Sequence, residues 1–260
     1  MKRIIFTDQL NRTLSIVPFP QRIISLVPSI TELLVDLGVQ EKLVGRTKFC
    51  VHPENAVKQI PKIGGTKQLK IEQIRALQPD LIIANKEEND REQVETLAAE
   101  FPVWISDVPN FPAALEMILG IGRVVGQIEK AQQIVQQQQQ IMADLLPQRS
   151  LRAAYLIWRK PYMTVGNDTY IHDMLRRVGF DNVFGEQTRY PQFTLADLKK
   201  RDPEVILLSS EPFPFKEKHI AELREQFPTI PIELVDGEAF SWYGTRLLKT
   251  KNTLQSYQAL

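Results

Sequence analysis

The two side chains best suited to metal chemistry, Cys50 and His52, lie two residues apart in one predicted loop. A thiolate and an imidazole both bind zinc and other transition metals, so this pair is the candidate metal-binding element. Two ligands do not complete a site, and no further Cys or His follows at the spacing of a zinc motif. The alternative, a small buried thiol beside a surface imidazole, is the interpretation that the pattern favours.

Sequence motifs for catalysis are missing: there is no G-x-S-x-G, no H-E-x-x-H and no glycine-rich phosphate loop. His172 and His219 fall in predicted helices, which favours an ordinary structural role over a catalytic one. A chelatase-like enzyme would need a histidine facing a carboxylate, and His52 with Glu238 is the pair that the sequence offers. We therefore predict a protein that is not an enzyme.

Aromatic side chains are concentrated in segments predicted to be loops. These segments contain Phe49, Tyr162, Tyr190, Phe240, Trp242 and Tyr243, with Glu238 and Arg246 as polar neighbours. Large apolar side chains normally enter a core, so aromatic rings in loops indicate a surface for a flat or hydrophobic ligand. Packing between lobes is the alternative for any one of them.

Composition and charge exclude several functional classes. The 260 residues are 43% hydrophobic with a net charge of +1, which does not favour nucleic acid or an anionic membrane as partner. No stretch reaches 18 apolar residues, and the N-terminal apolar run is too short for a secretory signal. As the sequence stands we expect a cytoplasmic protein, or a periplasmic one if an upstream signal precedes it. Cys50 is the single cysteine, so no internal disulfide is predicted.

A long helix is predicted over Gln127–Leu146, between Gly126 and Pro147. The segment has no internal Gly or Pro, and its apolar residues recur at helical spacing. These residues are Ile128, Ala131, Val135, Met142 and Leu145. The alternative for its run of five glutamines is a disordered low-complexity tract.

Two segments on either side of this helix repeat one another. Lys70–Asn85 and Thr194–Ser209 align without gaps at an offset of 124 residues, from Pro79 to Pro203. Each predicts a short helix, a Pro-acid corner and a buried strand. Strands alternating with helices indicate mostly parallel sheets. We predict an α/β fold of two similar lobes, residues 1–126 and 148–260, joined by a rigid backbone helix at 127–147.

Four local patterns predict individual elements of secondary structure. Arg3–Thr7 and Thr13–Val17 predict a hairpin, and Ser29 with Glu32 predicts a capping box at the start of a helix. Tyr170–Val178 predicts a helix closed by Gly179, whereas Gly237–Thr245 predicts a loop.

The chain resembles the helical-backbone substrate-binding proteins of ABC importers, and most closely the type that binds vitamin B12. The matching segments are Arg22–Leu33 with Gly38, Ile74–Ile83, Pro161–Gly166, Gly179–Phe184, Asp202–Ile206 and Phe240–Arg246. The resemblance implies two α/β lobes that hold a ligand between them with little hinge motion. The implied ligands are a cobalamin-like corrinoid, haem or a ferric siderophore, with no intrinsic cofactor.

The resemblance also implies roles for particular residues. Phe49, Tyr162 and Tyr190 fall at or next to positions where aromatic rings contact the corrin, and Glu238 matches an acidic ligand contact. Phe240, Trp242, Tyr243 and Arg246 belong to the same ligand-binding set.

Docking on a transporter is the second implied role. In this family a glutamate at each lobe tip pairs with arginines of the permease. Glu72 fits the first position, whereas Ala196 occupies the second with Asp197 beside it as a shorter substitute. The expected partners are a small-molecule ligand and an ABC permease, and the protein is expected to be a monomer. The alternative is an intracellular homologue that stores, delivers or senses a cofactor or metal.

Overall fold

The computed structural model describes residues 3–145, 147 and 149–260, which form two compact units. The first unit comprises the described residues up to Val108, Pro112–Gln137 and Tyr243–Arg246. The second comprises Pro109–Phe111, the described residues of Gln138–Trp242, and Leu247–Leu260. The lobe boundaries proposed from the sequence stay a prediction.

The elements of the first half of the chain are eight strands and six helices in the described residues. The strands are β1 (Ile4–Thr7), β2 (Thr13–Ile16), β3 (Ile23–Ser25), β4 (Leu43–Arg46), β5 (Gly64–Gly65), β6 (Gln68–Leu69), β7 (Leu81–Asn85) and β8 (Val103–Ser106). The helices are α1 (Pro28–Asp36), α2 (Glu54–Val57), α3 (Ile71–Ala76), α4 (Arg91–Ala98), α5 (Phe111–Val125) and α6 (Ile128–Asp144). A 3₁₀ turn covers Gln40–Lys42.

The second half of the chain adds six strands and five helices in the described residues. The strands are β9 (Leu151–Leu156), β10 (Tyr162–Met163), β11 (Phe180–Asn182), β12 (Gln192–Phe193), β13 (Val205–Ser209) and β14 (Ile232–Val235). The helices are α7 (Tyr170–Val178), α8 (Leu195–Arg201), α9 (Glu217–Arg224), α10 (Gly237–Ser241) and α11 (Arg246–Tyr257).

Each unit is built on a four-stranded parallel sheet. The strand order is β4-β3-β7-β8 in the first unit and β11-β9-β13-β14 in the second, so the two sheets share one topology. All five residues of β7 and all five of β13 are buried, as expected for central strands of parallel sheets. The predicted α/β fold with two similar, mostly parallel sheets is confirmed.

The internal repeat is also confirmed. Strands β7 and β13 begin and end at positions 124 residues apart, and α3 and α8 begin with the same offset. In the second copy Asp202 ends α8 in the left-handed conformation, with φ of +48°. The repeated sequence therefore specifies a repeated helix–corner–strand unit.

The predicted long helix is α6. It begins at Ile128 and ends at Asp144, so it is shorter than Gln127–Leu146, and Leu146 lies outside the described residues. Its residues up to Gln137 belong to the first unit, and those from Gln138 onward belong to the second. The glutamine run is helical, which excludes the disordered alternative.

The preceding helix, α5, passes very close to the start of α6 at Gly122. A Cβ atom added at Gly122 would overlap Ala131 Cβ and would lie 3.2 Å from the carbonyl oxygen of Gln127. We expect Gly122→Ala to lower the free energy of unfolding by about 1–3 kcal/mol, because this overlap outweighs the better helix propensity of alanine. Denaturant unfolding measures the change, and Ala131→Gly in the same chain should recover part of it. An unchanged or higher stability of Gly122→Ala would contradict this packing.

The hairpin and the 170–178 helix agree with the sequence predictions. Strands β1 and β2 pair in antiparallel register, with Ile4 opposite Ile16. Gly179 closes α7 with φ of +104°, a conformation that glycine adopts without strain.

The predicted capping box at Ser29 and Glu32 is wrong. Helix α1 begins at Pro28, whose ring suits the first helical position, and Val27 precedes it without a side-chain cap. Ser29 therefore lies inside the first turn, and Glu32 is buried. The predicted loop Gly237–Thr245 is also partly wrong, because α10 forms where the Asp236 side chain accepts a hydrogen bond from the Glu238 amide at 3.0 Å.

Among the described helices, none is both long and apolar enough to span a bilayer.

Candidate functional site

Loops that follow the carboxyl ends of the strands hold the candidate ligand-binding residues. In the first unit a buried polar network fixes two loops at this end of the sheet, those after β3 and β7. Asn85, the last residue of β7, donates from Nδ2 to Ser106 Oγ at 3.0 Å. Asn89 Oδ1 accepts from the Asn85 amide at 2.9 Å, and its Nδ2 donates to the Leu26 carbonyl at 3.1 Å. Buried, satisfied polar groups hold the loops after β3 and β7 in place.

Phe49 is half exposed in the loop after β4, with 50% of its surface accessible. The buried Arg46 anchors this loop, because its guanidinium donates hydrogen bonds to the carbonyl oxygens of Val57 and Cys50 at 2.8 and 2.9 Å. Lys48 Nζ lies 4.9 Å from the centroid of the Phe49 ring. The first unit therefore presents an aromatic ring on a rigid loop.

Cys50 is fully buried, and its Sγ lies 3.1 Å from Thr47 Oγ1. Burial raises the pKa of the Cys50 thiol, which disfavours the thiolate that binds metals. Within the described residues, no group of three or more His, Cys, Asp or Glu is placed to hold a metal ion. The burial of Cys50 fits the buried-thiol interpretation of this residue, and the roles of Cys50 and His52 stay predictions.

In the second unit an aromatic cluster follows the ends of β9 and β13. Trp158 is 40% exposed and meets Phe213 edge-to-face, with ring centroids 5.8 Å apart. Phe213 in turn contacts Phe215 at 4.8 Å. Arg159, next to Trp158, forms an ion pair with Glu222. The cluster therefore leaves part of Trp158 exposed, whereas Phe213 is partly buried and Phe215 is buried.

A two-stranded ribbon carries the predicted aromatic residues Tyr162 and Tyr190. Tyr162 opens β10 and stacks on Phe193 of β12, with centroids 5.9 Å apart and an angle of 25°. Tyr190 lies just before β12, with the Arg189 guanidinium 5.6 Å from its ring centroid. Both tyrosines are half-buried, so each ring keeps surface that a ligand can reach.

The predicted ligand-binding residues after β14 differ sharply in exposure. Glu238 is partly exposed in the first turn of α10. Phe240 is fully buried between Tyr155 and Tyr257, with centroids 5.5 and 5.7 Å apart, so the structure gives it a packing role in the second unit. Trp242 and Tyr243 are 8% and 7% exposed, which leaves little surface for a ligand. Phe240 lies in α10, where the sequence predicted a loop, and Trp242 and Tyr243 directly follow this helix.

Arg246 forms a buried ion pair. Its Nε lies 3.0 Å from Glu32 Oε2 of α1, and the two side chains are 12% and 2% exposed. The neighbouring Thr245 hydroxyl donates to the Asp36 carboxylate. The ion pair joins the segment Tyr243–Arg246 to α1, and this segment belongs to the first unit.

The two predicted docking carboxylates have different environments. Glu72 lies in the first turn of α3 with its side chain 83% exposed, and it forms an ion pair with Arg75, which also pairs with Glu100. Asp197 Oδ2 instead accepts hydrogen bonds from the Thr194 amide at 3.0 Å and the Thr194 hydroxyl at 2.7 Å. These bonds lower the pKa of Asp197 and turn its carboxylate back onto the start of α8. The Glu72 carboxylate is therefore exposed but paired with Arg75, whereas that of Asp197 is held by Thr194.

Trp158 and Phe213 are the aromatic residues that the sequence prediction missed. The apolar segment Arg152–Trp158 predicts a strand that reaches Trp158, whereas β9 ends at Leu156, so Trp158 lies in the loop and not in the four-stranded sheet. The available signal was the polar Arg-Lys-Pro sequence immediately after Trp158, which marks a turn.

A comparison with known protein families identifies the class to which this chain belongs. The model for the periplasmic binding protein family matches residues 23–229. The chain belongs to the periplasmic binding protein family.

Individual relatives point in the same direction. The chain is 27% identical over 237 residues to a vitamin B12-binding protein of Pectobacterium carotovorum, covering 88% of this chain and 85% of that protein. It is 27% identical to YvrC, an uncharacterised ABC transporter substrate-binding lipoprotein of Bacillus subtilis, over 77% and 67% of the two chains. A periplasmic haem-binding protein, BhuT, solved with two haems, shares the fold with a TM-score of 0.80, at 21% identity over 92% and 97% of the chains.

Proposed function

We propose that the protein is the substrate-binding component of an ABC-type uptake system. Its ligand is a metal complex of one of three kinds: a cobalamin-like corrinoid, haem or a ferric siderophore. The relatives named for vitamin B12 and for haem support this class of ligand. Membership of the periplasmic binding protein family favours binding over catalysis.

The observation that carries the proposal is the exposure of aromatic rings on rigid loops. Phe49 and Trp158 remain 50% and 40% exposed, although burying a large ring is normally favourable. The Trp158 ring is held by Phe213, and Tyr162 is held by Phe193. Rings that are already immobilised lose little entropy on binding, so they contribute affinity efficiently. Glu238 and Tyr190 are proposed as the polar and peripheral contacts of the same ligand-binding set.

The proposed macromolecular partner is an ABC permease. The relative named as an ABC transporter substrate-binding lipoprotein supports this partner. Glu72 is the proposed docking residue, since its carboxylate is exposed in the first turn of α3. Arg75 would have to release Glu72 when an arginine of the permease replaces it.

A thermal unfolding panel tests the ligand class. We expect one of cyanocobalamin, cobinamide, haem or a ferric hydroxamate to raise the melting temperature of the protein in a concentration-dependent way. A ligand present at 100 times its Kd, and bound only by the folded state, adds about 2.7 kcal/mol to the free energy of unfolding. Metal-free protoporphyrin is the control for the role of the metal. If none of the four shifts the transition, the proposed ligand class is wrong.

A further inference from the structure

A polar groove in the second unit lies away from the aromatic residues. It runs along the edge strand β11, whose Asp181 is in register with Arg152 at the start of β9. Trp158 and Phe213, by contrast, follow the far ends of β9 and β13. The groove has a volume of about 600 Å³, enough for a small ligand.

The base of the groove is built from fixed polar groups. Arg152 donates from Nε to the Asp202 carbonyl at 3.2 Å, and Arg201 donates from Nη1 to the Val183 carbonyl at 2.6 Å. The buried Asn182 donates from Nδ2 to the Val165 carbonyl at 2.8 Å and lies 3.3 Å from His172 Nδ1. If Asn182 Nδ2 is the donor of that contact, His172 Nδ1 accepts and Nε2 carries the ring proton.

The charges of the groove do not cancel. Its lining includes the cations Arg152, Arg176, Lys200 and Arg201 and the carboxylates Asp181 and Glu186. Glu186 neutralises Arg201 through an ion pair at 2.6 Å. Burial and the nearby Arg176 lower the pKa of His172, so this imidazole adds no charge at neutral pH. Three cations therefore face one carboxylate.

Arg176 and Lys200 are the two cations available to a ligand. Both side chains are exposed, and within the described part of the chain neither forms a side-chain hydrogen bond or an ion pair. They approach the groove from different helices, α7 and α8. Like charges that converge on one groove repel each other, and an anion between them relieves that repulsion.

We propose that this groove is an anion-binding site for a compact ligand of the phosphate or polyphosphate class, carrying two or more negative charges. Arg176 and Lys200 supply charge-assisted hydrogen bonds, and Arg152 contributes to the positive field. Among the described residues that line the groove there is no Phe, Tyr or Trp, so its ligand differs in chemistry from the metal complex of the proposed function.

Isothermal titration with pyrophosphate at low ionic strength tests the site on the full chain. We expect saturable binding that weakens about tenfold or more in the double variant Arg176→Gln with Lys200→Gln, because two charge-assisted contacts are lost. The matched control is Lys199→Gln with Lys218→Gln, which removes the same charge from the same unit. Lys199 Nζ lies 3.2 Å from Gln226 Oε1 and does not line the groove.

Each outcome of this titration decides the proposal. No pyrophosphate binding to the unmodified protein, or equal weakening in both double variants, would overturn a defined site. Citrate binding as tight as pyrophosphate would overturn the phosphate class. Unchanged melting temperatures in both variants show that they fold, and the corrinoid and haem panel is scored separately, so failure of one proposal does not affect the other.

Discussion

Replacing Arg246 with methionine is expected to lower the free energy of unfolding by about 3–5 kcal/mol. The substitution leaves Glu32 in α1 with its side chain 2% exposed and without the guanidinium that lies 3.0 Å away. A buried carboxylate that loses its counter-charge is strongly destabilising, because water cannot replace the partner. Denaturant unfolding followed by circular dichroism measures the change.

Two further variants separate the ion pair from simple packing. Glu32→Leu combined with Arg246→Met removes both charges, and we expect it to recover most of the lost stability, since a buried pair replaced by apolar groups is often neutral. Lys251→Met breaks the more exposed pair with Asp144 and should change stability much less. If the double variant were as unstable as Arg246→Met alone, the loss would come from packing and not from an orphaned charge.

The fold was predictable because its strongest signals are local and repeated. Strand β7 forms the buried strand predicted at the end of Lys70–Asn85, and β13 reproduces it at the predicted offset. Five consecutive buried residues bounded by a Pro-acid corner specify a central parallel strand wherever they occur. Gly179 likewise ends α7 through a property of glycine that needs no tertiary context.

The sequence predictions were wrong where tertiary contacts determine the local structure. Ser29 and Glu32 have the spacing of a capping box, yet Pro28 begins the helix and Glu32 pairs with Arg246, a residue 214 positions away in the chain. Local spacing cannot reveal a partner at that distance. The burial of Phe240 depends on distant residues in the same way, because its ring packs against Tyr155 and Tyr257, which come from β9 and α11.

The chemical character of the candidate site was predictable from the sequence, whereas the residues that form it were only partly predictable. An excess of aromatic residues in loops pointed to a surface for a flat ligand, and Phe49 is exposed as that argument requires. Which of the remaining rings stay exposed depends on where β9 stops and whether α10 forms. An error of two residues at the end of β9 concealed Trp158. Boundaries of elements are the weakest part of sequence-based prediction, and ligand-binding residues lie at those boundaries.

Loss of ligand affinity by about 10²–10³-fold is expected for the double variant Trp158→Ala with Tyr162→Ala. Truncating an aromatic residue that anchors a ligand commonly costs 2 kcal/mol or more, and we expect both rings to act as anchors. Stability should fall much less, because Trp158 is 40% exposed and Tyr162 is half-buried. Fluorescence or calorimetric titration with the ligand identified in the thermal panel measures the change.

The control for this loss is Phe19→Ala, which removes an aromatic ring that is 62% exposed. Phe19 precedes β3 and so lies at the opposite end of a sheet from the loops that carry the candidate site. Unchanged affinity in this control, together with the loss in the double variant, would assign binding to the rings after β9. Unchanged affinity in the double variant itself would mean that Trp158 and Tyr162 are not ligand contacts. Their exposure would then need another cause, since an exposed indole on a loop held by Phe213 gains nothing from folding alone.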